Sequence, residues 1–415
     1  MQNIKQIYKN FNVYIPLLIA FLLPFGINLS ILIIAWSILF VLFDNIKNAW
    51  LQLKKNYWFY TLILFFIVHV LGYWFSENKH DALNAIEIKL GFLAFPILIF
   101  SINYSDIEIK KIITSFVSGN TLAAFFCLFR ATYLYLLENM NAFFYSEFSF
   151  FMHPSYFAMY LIFAQLIVML YYPKWLMHLT QLYLKIGFIS LTFLITIFLC
   201  SSKMGLITAF VLLPSVFTFI LYQSGYKKTI VIVLTVFVLG IVIAYKLFPT
   251  PFERLKFAFK VSESISTIDK TDGESTAVRV LIWQESIKII KQHFLFGTSA
   301  GDANDKLVQA YEQEGMTGAL RKKLNAHNQY LQTFIGTGLI GFVILLLMTI
   351  GVLVYSIYTK NLLLMLFSAL TTSNFLVESM LQAQAGFIFF IFFLCFLLKY
   401  NVSNFKNNSI LTKPL

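Results

Sequence analysis

Three basic residues stand at the edges of apolar runs in the second half of the chain: Lys203, Arg279 and His327. Lys203 lies in Ser201-Ser-Lys-Met-Gly205, a minimal turn between two such runs. Arg279 and Trp283 are four residues apart, so on a helix they face the same way. His327 belongs to Asn325-Ala-His-Asn-Gln-Tyr-Leu331, which closes the one long polar excursion and opens a new apolar run. Asn325 reads as an N-cap, which puts His327 in the first helical turn beyond it. Exposed amides and the positive end of the helix dipole there favour a bound anion and disfavour an imidazolium. A neutral imidazole can accept a proton. Two cations and a helix N-terminus at one face could receive a lipid-linked pyrophosphate, and the histidine could deprotonate an incoming sugar hydroxyl. On spacing alone, a polar helix start at a membrane surface accounts for His327 equally well. Taken singly, each of these residues also has a bland reading.

Other polar residues carry less. Arg130, late in the fifth apolar run, reads as a snorkelling arginine or as a phosphate contact near the external surface. Glu87 and Lys89 begin the fourth run, where they are expected as interfacial anchors or, less directly, as part of an acceptor site. His153, His178 and His293 are isolated and His69 sits inside an apolar run, so each is expected in a satisfied buried or interfacial role. Nothing resembles a metal site, a Walker loop or a nucleophile elbow. Cys127, Cys200 and Cys395 all fall in apolar runs without metal-type spacing and read as packing residues.

The elements that must position these groups are membrane helices. Hydrophobic residues make up 59% of the chain and charged ones 12%, and mean hydropathy is +0.77. Apolar runs of roughly 17–25 residues recur throughout, the signature of a polytopic all-α integral membrane protein. The runs fall at about 13–27, 30–43, 57–75, 87–100, 112–137, 154–172, 183–200, 204–222, 229–248, 327–355, 361–377 and 386–400. The formal charge of +12 could indicate nucleic acid, but the basic residues cluster between runs. With both termini cytoplasmic, the cytoplasmic segments collect Lys47, Lys54, Lys55, Lys110, Lys111, Lys227, Lys228 and Lys360. The short external ones hold only Lys79, Lys89 and Lys203. This asymmetry predicts twelve spans. Lys5 and Lys9 precede an apolar run without a small-residue cleavage site, so the first span is expected to be retained.

The polar excursion, residues 249–326, is a large external loop within one membrane domain covering residues 1–415. Pro249 and Pro251 mark the exit from the preceding span. Ser262–Thr276 has little to bury and reads as a mobile strip. Val280, Trp283, Ile287 and Ile290 form the stripe of an amphipathic helix lying on the bilayer or on the bundle. A second helix is expected over Asp305–Glu314, after the break at Gly297–Gly301.

In order, Ser201-Ser-Lys-Met-Gly205, Arg279-x3-Trp283, Phe296-Gly297 and His327-Asn-x-Tyr-Leu331 resemble the O-antigen ligase family, which takes in related polymerases and protein O-oligosaccharyltransferases. The resemblance covers roughly residues 185–345. It implies a GT-C-like membrane glycosyltransferase of the bacterial inner membrane, acting at the periplasmic face in lipopolysaccharide biosynthesis. The implied donor is a glycan on undecaprenyl pyrophosphate, and the implied acceptor is a sugar hydroxyl, foremost on lipid A–core. No cofactor or metal is implied, and displacement would invert the anomeric centre. Arg279 and His327 match the family's catalytic arginine and histidine. Lys203 stands where arginine is commoner, keeping the charge without the two-pronged phosphate contact. Arg130 is a further candidate for the pyrophosphate, and Trp283, Asn328 and Tyr330 are supporting residues. Ser299 replaces a glycine frequent in the family. Two rival readings remain: an O-antigen polymerase using a second lipid-linked glycan, and a polysaccharide-lipid transporter or flippase. The latter would favour charges near mid-membrane.

Overall fold

In lipid, every backbone polar group must be satisfied within its own segment, which leaves helices as the structure open to apolar runs of this kind. The computed structural model describes residues 2–44, 46–175, 181–247, 269–271, 273 and 276–402, and every regular element among them is helical. The first half holds α1 (Gln2–Leu22), α2 (Ser30–Phe43), α3 (Ile46–Leu53), α4 (Tyr57–Phe75), α5 (Lys79–Lys89), α6 (Gly91–Ser101), α7 (Asp106–Glu138), α8 (Tyr145–Phe148) and α9 (Pro154–Trp175). There follow α10 (Leu182–Leu199), α11 (Lys203–Gln223), α12 (Lys227–Leu247), α13 (Thr276–Gln292), α14 (Ala303–Gln313) and α15 (Thr317–Lys322). The chain then forms α16 (Gln329–Leu346), α17 (Val352–Tyr358), α18 (Leu362–Phe375) and α19 (Gln384–Lys399).

Each apolar run of the sequence coincides with a helix. Among the described residues, 7 helices are long and apolar enough to cross a membrane, or up to 8 if the pair α2–α3, bent by 114°, is one span. Three shorter apolar helices cover Asn10–Phe25, Leu362–Phe375 and Gln384–Lys399. The first two runs remain separate helices. A 3-10 turn at Leu23–Phe25 and the left-handed Gly26 (φ 64°) divide α1 from α2, and the two helices pack on each other.

Two helices are apolar on all sides, α9 and α19, and both are enclosed. Phe387 to Leu397 of α19 and Phe157 to Val168 of α9 are almost continuously buried. Their rings meet in a cluster with α7 and α18, in which Tyr160 stacks on Phe389 at 4.5 Å and Phe116 and Phe163 meet Phe393 edge-on at 4.8 and 5.0 Å. Such pairs are worth about 0.5–1.5 kcal/mol each beyond burial.

The segment between α12 and α16 has its own small core, built from Val278, Ile282, Leu307, Tyr311 and Ala319 together with Ile335 of α16. The buried stripe of α13 is only in part the one expected: Ile290 is buried and Trp283 packs on this core, but the face is wider and shifted. Val278, Leu281, Ile282, Glu285, Ser286 and Ile289 face α14 and α16, whereas Ile287 is exposed. The expected stripe assumed one partner surface, but α13 is clasped from two sides and its burying face is rotated accordingly. The second loop helix is Ala303–Gln313, close to its expected place. Of the strip 262–276, residues 269–271 dock on the loop core, where the Lys270 carbonyl accepts from Gly318 N at 3.0 Å and Lys270 Nζ donates to Glu314 O at 2.6 Å. The rest of the strip, apart from Gly273 and Thr276, lies outside the described residues, as do Pro249, Pro251 and His178.

Two junctions lock this loop to the bundle. At the first, Asp302 accepts from Ser76 Oγ (2.8 Å), Glu77 N (2.9 Å) and Asn78 N (2.8 Å), so one buried carboxylate satisfies the turn between α4 and α5. At the second, α16 breaks at Gly338 (φ 62°, ψ −161°), and the freed backbone groups pair with the loop. Leu339 N donates to Phe294 O (2.9 Å), and Ile335 O accepts from Thr298 N (2.7 Å). This is the place of the Phe296-Gly297 motif: a Cβ on Gly297 would stand 2.5 Å from Gly338 N. Ser299 has φ 81°, a conformation glycine adopts without strain, which explains the residue type expected there. Its hydroxyl accepts from Gly301 N at 3.1 Å.

The fourth span also departs from expectation. It runs over Lys79–Ser101 as α5 and α6, so Lys89 lies inside it rather than at its edge. Lys89 is 1% exposed and donates to the Leu381 carbonyl. It is therefore no interfacial anchor; burial of its charge is offset by a backbone acceptor from the loop ahead of α19.

Candidate active site

His327 does not occupy a helical turn. The N-cap of α16 is Asn328, whose side chain accepts from Tyr330 N (3.0 Å) and Leu331 N (3.1 Å). Asn325 instead accepts from His327 N at 2.9 Å in a local turn. His327 thus precedes the cap, in the left-handed region at φ 44°. For a non-glycine residue that conformation costs about 1–2 kcal/mol and persists where neighbours over-determine it. Here they do. Ala326 N donates to Gln332 Oε1 (2.9 Å), and Trp283 Nε1 donates to the Ala326 carbonyl (2.9 Å). Gln332 in turn donates to Asn304 Oδ1 (3.0 Å), which carries the register into the loop.

Held this way, the imidazole meets a residue that sequence reasoning did not single out. Glu378, in the segment between α18 and α19, places Oε2 3.4 Å from His327 Nδ1 and Oε1 3.2 Å from Arg279 Nη2. Arg279 Nη1 also donates to the Val377 carbonyl at 2.7 Å. A single carboxylate therefore bridges the two residues expected to do the chemistry. The three side chains keep limited contact with the exterior, at 27% exposure for Arg279, 24% for His327 and 12% for Glu378. Burial pushes the Glu378 carboxyl up. The bond from His327 and the charges of Arg279, His327 and His153 outweigh it and leave the group below its ordinary value. The carboxylate is thus the stable form and can accept from both neighbours.

Chemically, this pairing assigns the ring nitrogens. With Nδ1–H directed at Glu378, Nε2 is the basic lone pair. The helix dipole, invoked for a histidine in the first turn, is not what orients this ring. Arg279 carries five N–H donors, two of which make the contacts above.

The supporting shell comes from polar side chains along α16. Gln329 Oε1 accepts from Leu381 N (2.7 Å), which ties the Glu378 segment to the histidine segment. Lys89 grips the carbonyl of the same Leu381. Tyr330 points into the bundle, edge-on to Phe375 at 6.1 Å, so it packs the site from behind.

The remaining sequence candidates distribute as follows. Lys203 is the first residue of α11, after the cap Ser202, whose hydroxyl accepts from Gly205 N (3.2 Å) and lies 3.4 Å from Ser155 Oγ at the start of α9. Gly205 is required there: a Cβ would come within 2.7 Å of Ala158 Cβ. The turn carrying Lys203 is thereby joined to the α9 start. His153, expected to be isolated, stands at that same start, and its charge acts on Glu378. Arg130 engages a different partner set. It donates to the Glu147 carbonyl at 2.7 Å and lies over the Phe150 ring at 5.0 Å, bracing the connection between α7 and α9. His69 is satisfied within the bundle by Phe65 O at 2.8 Å, in keeping with its expected role.

Glu378 did leave a trace in the sequence: it is the only acidic residue after Glu314, and it interrupts two apolar runs. An ionisable residue at such a place is a functional candidate in its own right.

The family model described as O-antigen ligase matches residues 150–346. No curated protein matches the chain. The matched stretch contains Lys203, Arg279, Trp283 and His327 and ends before Glu378.

Proposed function

Since the chain belongs to the O-antigen ligase family through residues 150–346, we propose that it transfers a glycan from undecaprenyl pyrophosphate to a sugar hydroxyl of lipid A–core. The observation that carries this reading is the bridge Arg279–Glu378–His327. His327 Nε2 takes the proton of the acceptor hydroxyl, while Glu378 holds Nδ1–H and stabilises the imidazolium that forms. The acceptor oxygen attacks the anomeric carbon, and the bond from that carbon to the pyrophosphate oxygen breaks with inversion. The departing pyrophosphate keeps the electron pair, and Arg279, with Lys203 and in a more distant role Arg130, stabilises its growing charge. Fixed cations of this kind can do the work often given to a divalent metal, so the reaction is written as metal-independent. In this scheme the chain crosses the bacterial inner membrane twelve times, with cytoplasmic termini and the 249–326 loop in the periplasm.

A second reading, the polymerase, shares all of this except the acceptor, which would be another lipid-linked glycan. A strain lacking the protein separates the two. Loss of a ligase leaves long polymer on the lipid carrier; loss of a polymerase leaves single repeats on the core. Unchanged lipopolysaccharide and carrier-linked glycan in that strain would refute both. Transport of the glycolipid instead of transfer would show as donor that stays on the inner leaflet.

A further inference from the structure

The arrangement of Arg279, Glu378 and His327 uses none of the aromatic residues that surround the start of α9. The connection between α7 and α9 holds six rings over residues 143–151: Phe143, Phe144, Tyr145, Phe148, Phe150 and Phe151. Of the phenylalanines, Phe148 is fully buried and Phe151 half-buried, and Phe150, itself exposed, and Phe151 meet Phe126 at 5.4 and 5.0 Å. The polar rings follow a different course. Tyr145 and His153 meet edge-on at 6.0 Å and 83°, and His153 and Tyr156 at 6.2 Å and 70°, giving a continuous row. Tyr145 Oη lies 3.5 Å from His153 Nε2. His153 is exposed, and both tyrosines are partly so.

Two further observations set this row beside the reacting groups. Tyr156 packs on the first turn of α19, which lies against the segment that carries Glu378: a Cβ on Gly386 would stand 2.9 Å from Tyr156 Cε1 and 2.4 Å from the Met380 carbonyl. Tyr145 is held at φ 57°, a left-handed conformation that is an outlier for a bulky side chain and clusters at binding and catalytic sites. The charge of His153 also acts on Glu378.

We propose that Tyr145, His153 and Tyr156 form the acceptor-sugar subsite, a platform that stacks the terminal sugar of the acceptor glycolipid and presents its hydroxyl to His327. The inference rests on the glycosyl-transfer reading above. Sugars offer an apolar C–H face ringed by hydroxyls. Aromatic rings that also carry a phenol or an imidazole match both parts at once, whereas phenylalanine matches only the first. Of the fixed cations, Lys203 and Arg279 lie on α11 and α13, and Arg130 is engaged by the Glu147 carbonyl and the Phe150 ring, so the row suits a neutral sugar better than a pyrophosphate.

The test measures binding and transfer separately, using the full chain in lipid nanodiscs. The probes are lipid A–core and undecaprenyl-pyrophosphate-linked glycan. Tyr145→Gly removes the ring and at the same time relaxes the left-handed backbone, so its melting temperature is expected at or above that of the wild type. His153→Ala removes the middle ring. Each variant should weaken lipid A–core binding about tenfold, the scale of one lost aromatic contact, with donor binding as in the wild type. Wild-type binding of lipid A–core by both variants would overturn the proposal, as would loss of donor binding in place of acceptor binding. Absence of lipid A–core binding by the wild-type protein would also overturn it. If binding shifts as expected but the wild type transfers no glycan, the subsite stands and the transfer reading fails.

Discussion

Replacing Glu378 by glutamine probes the centre of the proposed site while nearly keeping its shape. The amide has one acceptor oxygen, so it can serve Arg279 or His327 but not both, and its NH2 group opposes a donor on the other side. At 3.2 Å and an effective dielectric of about 20, the Glu378–Arg279 attraction is about 5 kcal/mol before desolvation. Desolvation returns several kcal/mol of that, yet removing one partner of an enclosed pair still costs about 3–5 kcal/mol, because the other charge is left behind. Arg279 keeps some contact with the exterior, so the lower end of that range is expected as a loss of stability. The chemical effect is larger. Without the carboxylate, Nδ1–H loses its acceptor and the imidazolium its counter-charge, so transfer should fall about 100–10,000-fold. Donor binding should survive or tighten, since Arg279 is released toward the pyrophosphate. The wild-type carboxyl is held below its ordinary value, so its contribution to stability is complete above the unfolded carboxylate range and vanishes as pH falls through the lowered value. The glutamine variant should lack that acid-side loss. The assay is single-turnover transfer in nanodiscs, with donor binding and melting temperature measured on the same preparation. Transfer at the wild-type rate, or donor binding lost together with transfer, would refute the assignment of Glu378 to the histidine.

Four further outcomes follow from the same residues and their placement along the chain. Arg279→Ala should lower transfer about 100–1,000-fold, partly recovered in Arg279→Lys, which returns charge without the fork; equal rates in both variants would remove the phosphate role. His327→Ala should keep donor binding and cut transfer, and abolished binding would reassign the residue to the donor. Gly297→Ala puts a Cβ 2.5 Å from Gly338 N at φ 72°, so the protein should lose at least about 2 kcal/mol and melt earlier; an unchanged melting temperature would show that the crossing is not tight. For topology, cysteines placed near Lys54 and Lys227 should resist an impermeant thiol reagent in intact cells while one within 262–276 reacts, and labelling at Lys227 from outside would discard the twelve-span scheme.

Much of this protein is legible from one dimension. Hydropathy marks the apolar helices, because in lipid a long apolar run has no stable alternative to internal hydrogen bonding. Local chemistry also brings forward Arg279 and His327 as candidates, and the break of the loop helix at Gly297–Gly301. What distance along the chain hides is who meets whom. Glu378 lies 51 residues beyond His327, past α16, α17 and α18, and no spacing rule links them. The N-cap was misplaced for a related reason: Asn325 and Asn328 are equally good caps by type, and the choice fell to Asn328 because Trp283 and Gln332 had already claimed the Ala326 peptide groups. Lys89 looked like a surface anchor because its run appeared to begin beside it. Only the packed bundle, by supplying the Leu381 carbonyl, makes a buried lysine tolerable. Sequence alone determined the helices and the chemical types available; the tertiary structure decided which of those groups share a carboxylate, since that depends on long-range packing that local periodicity does not encode.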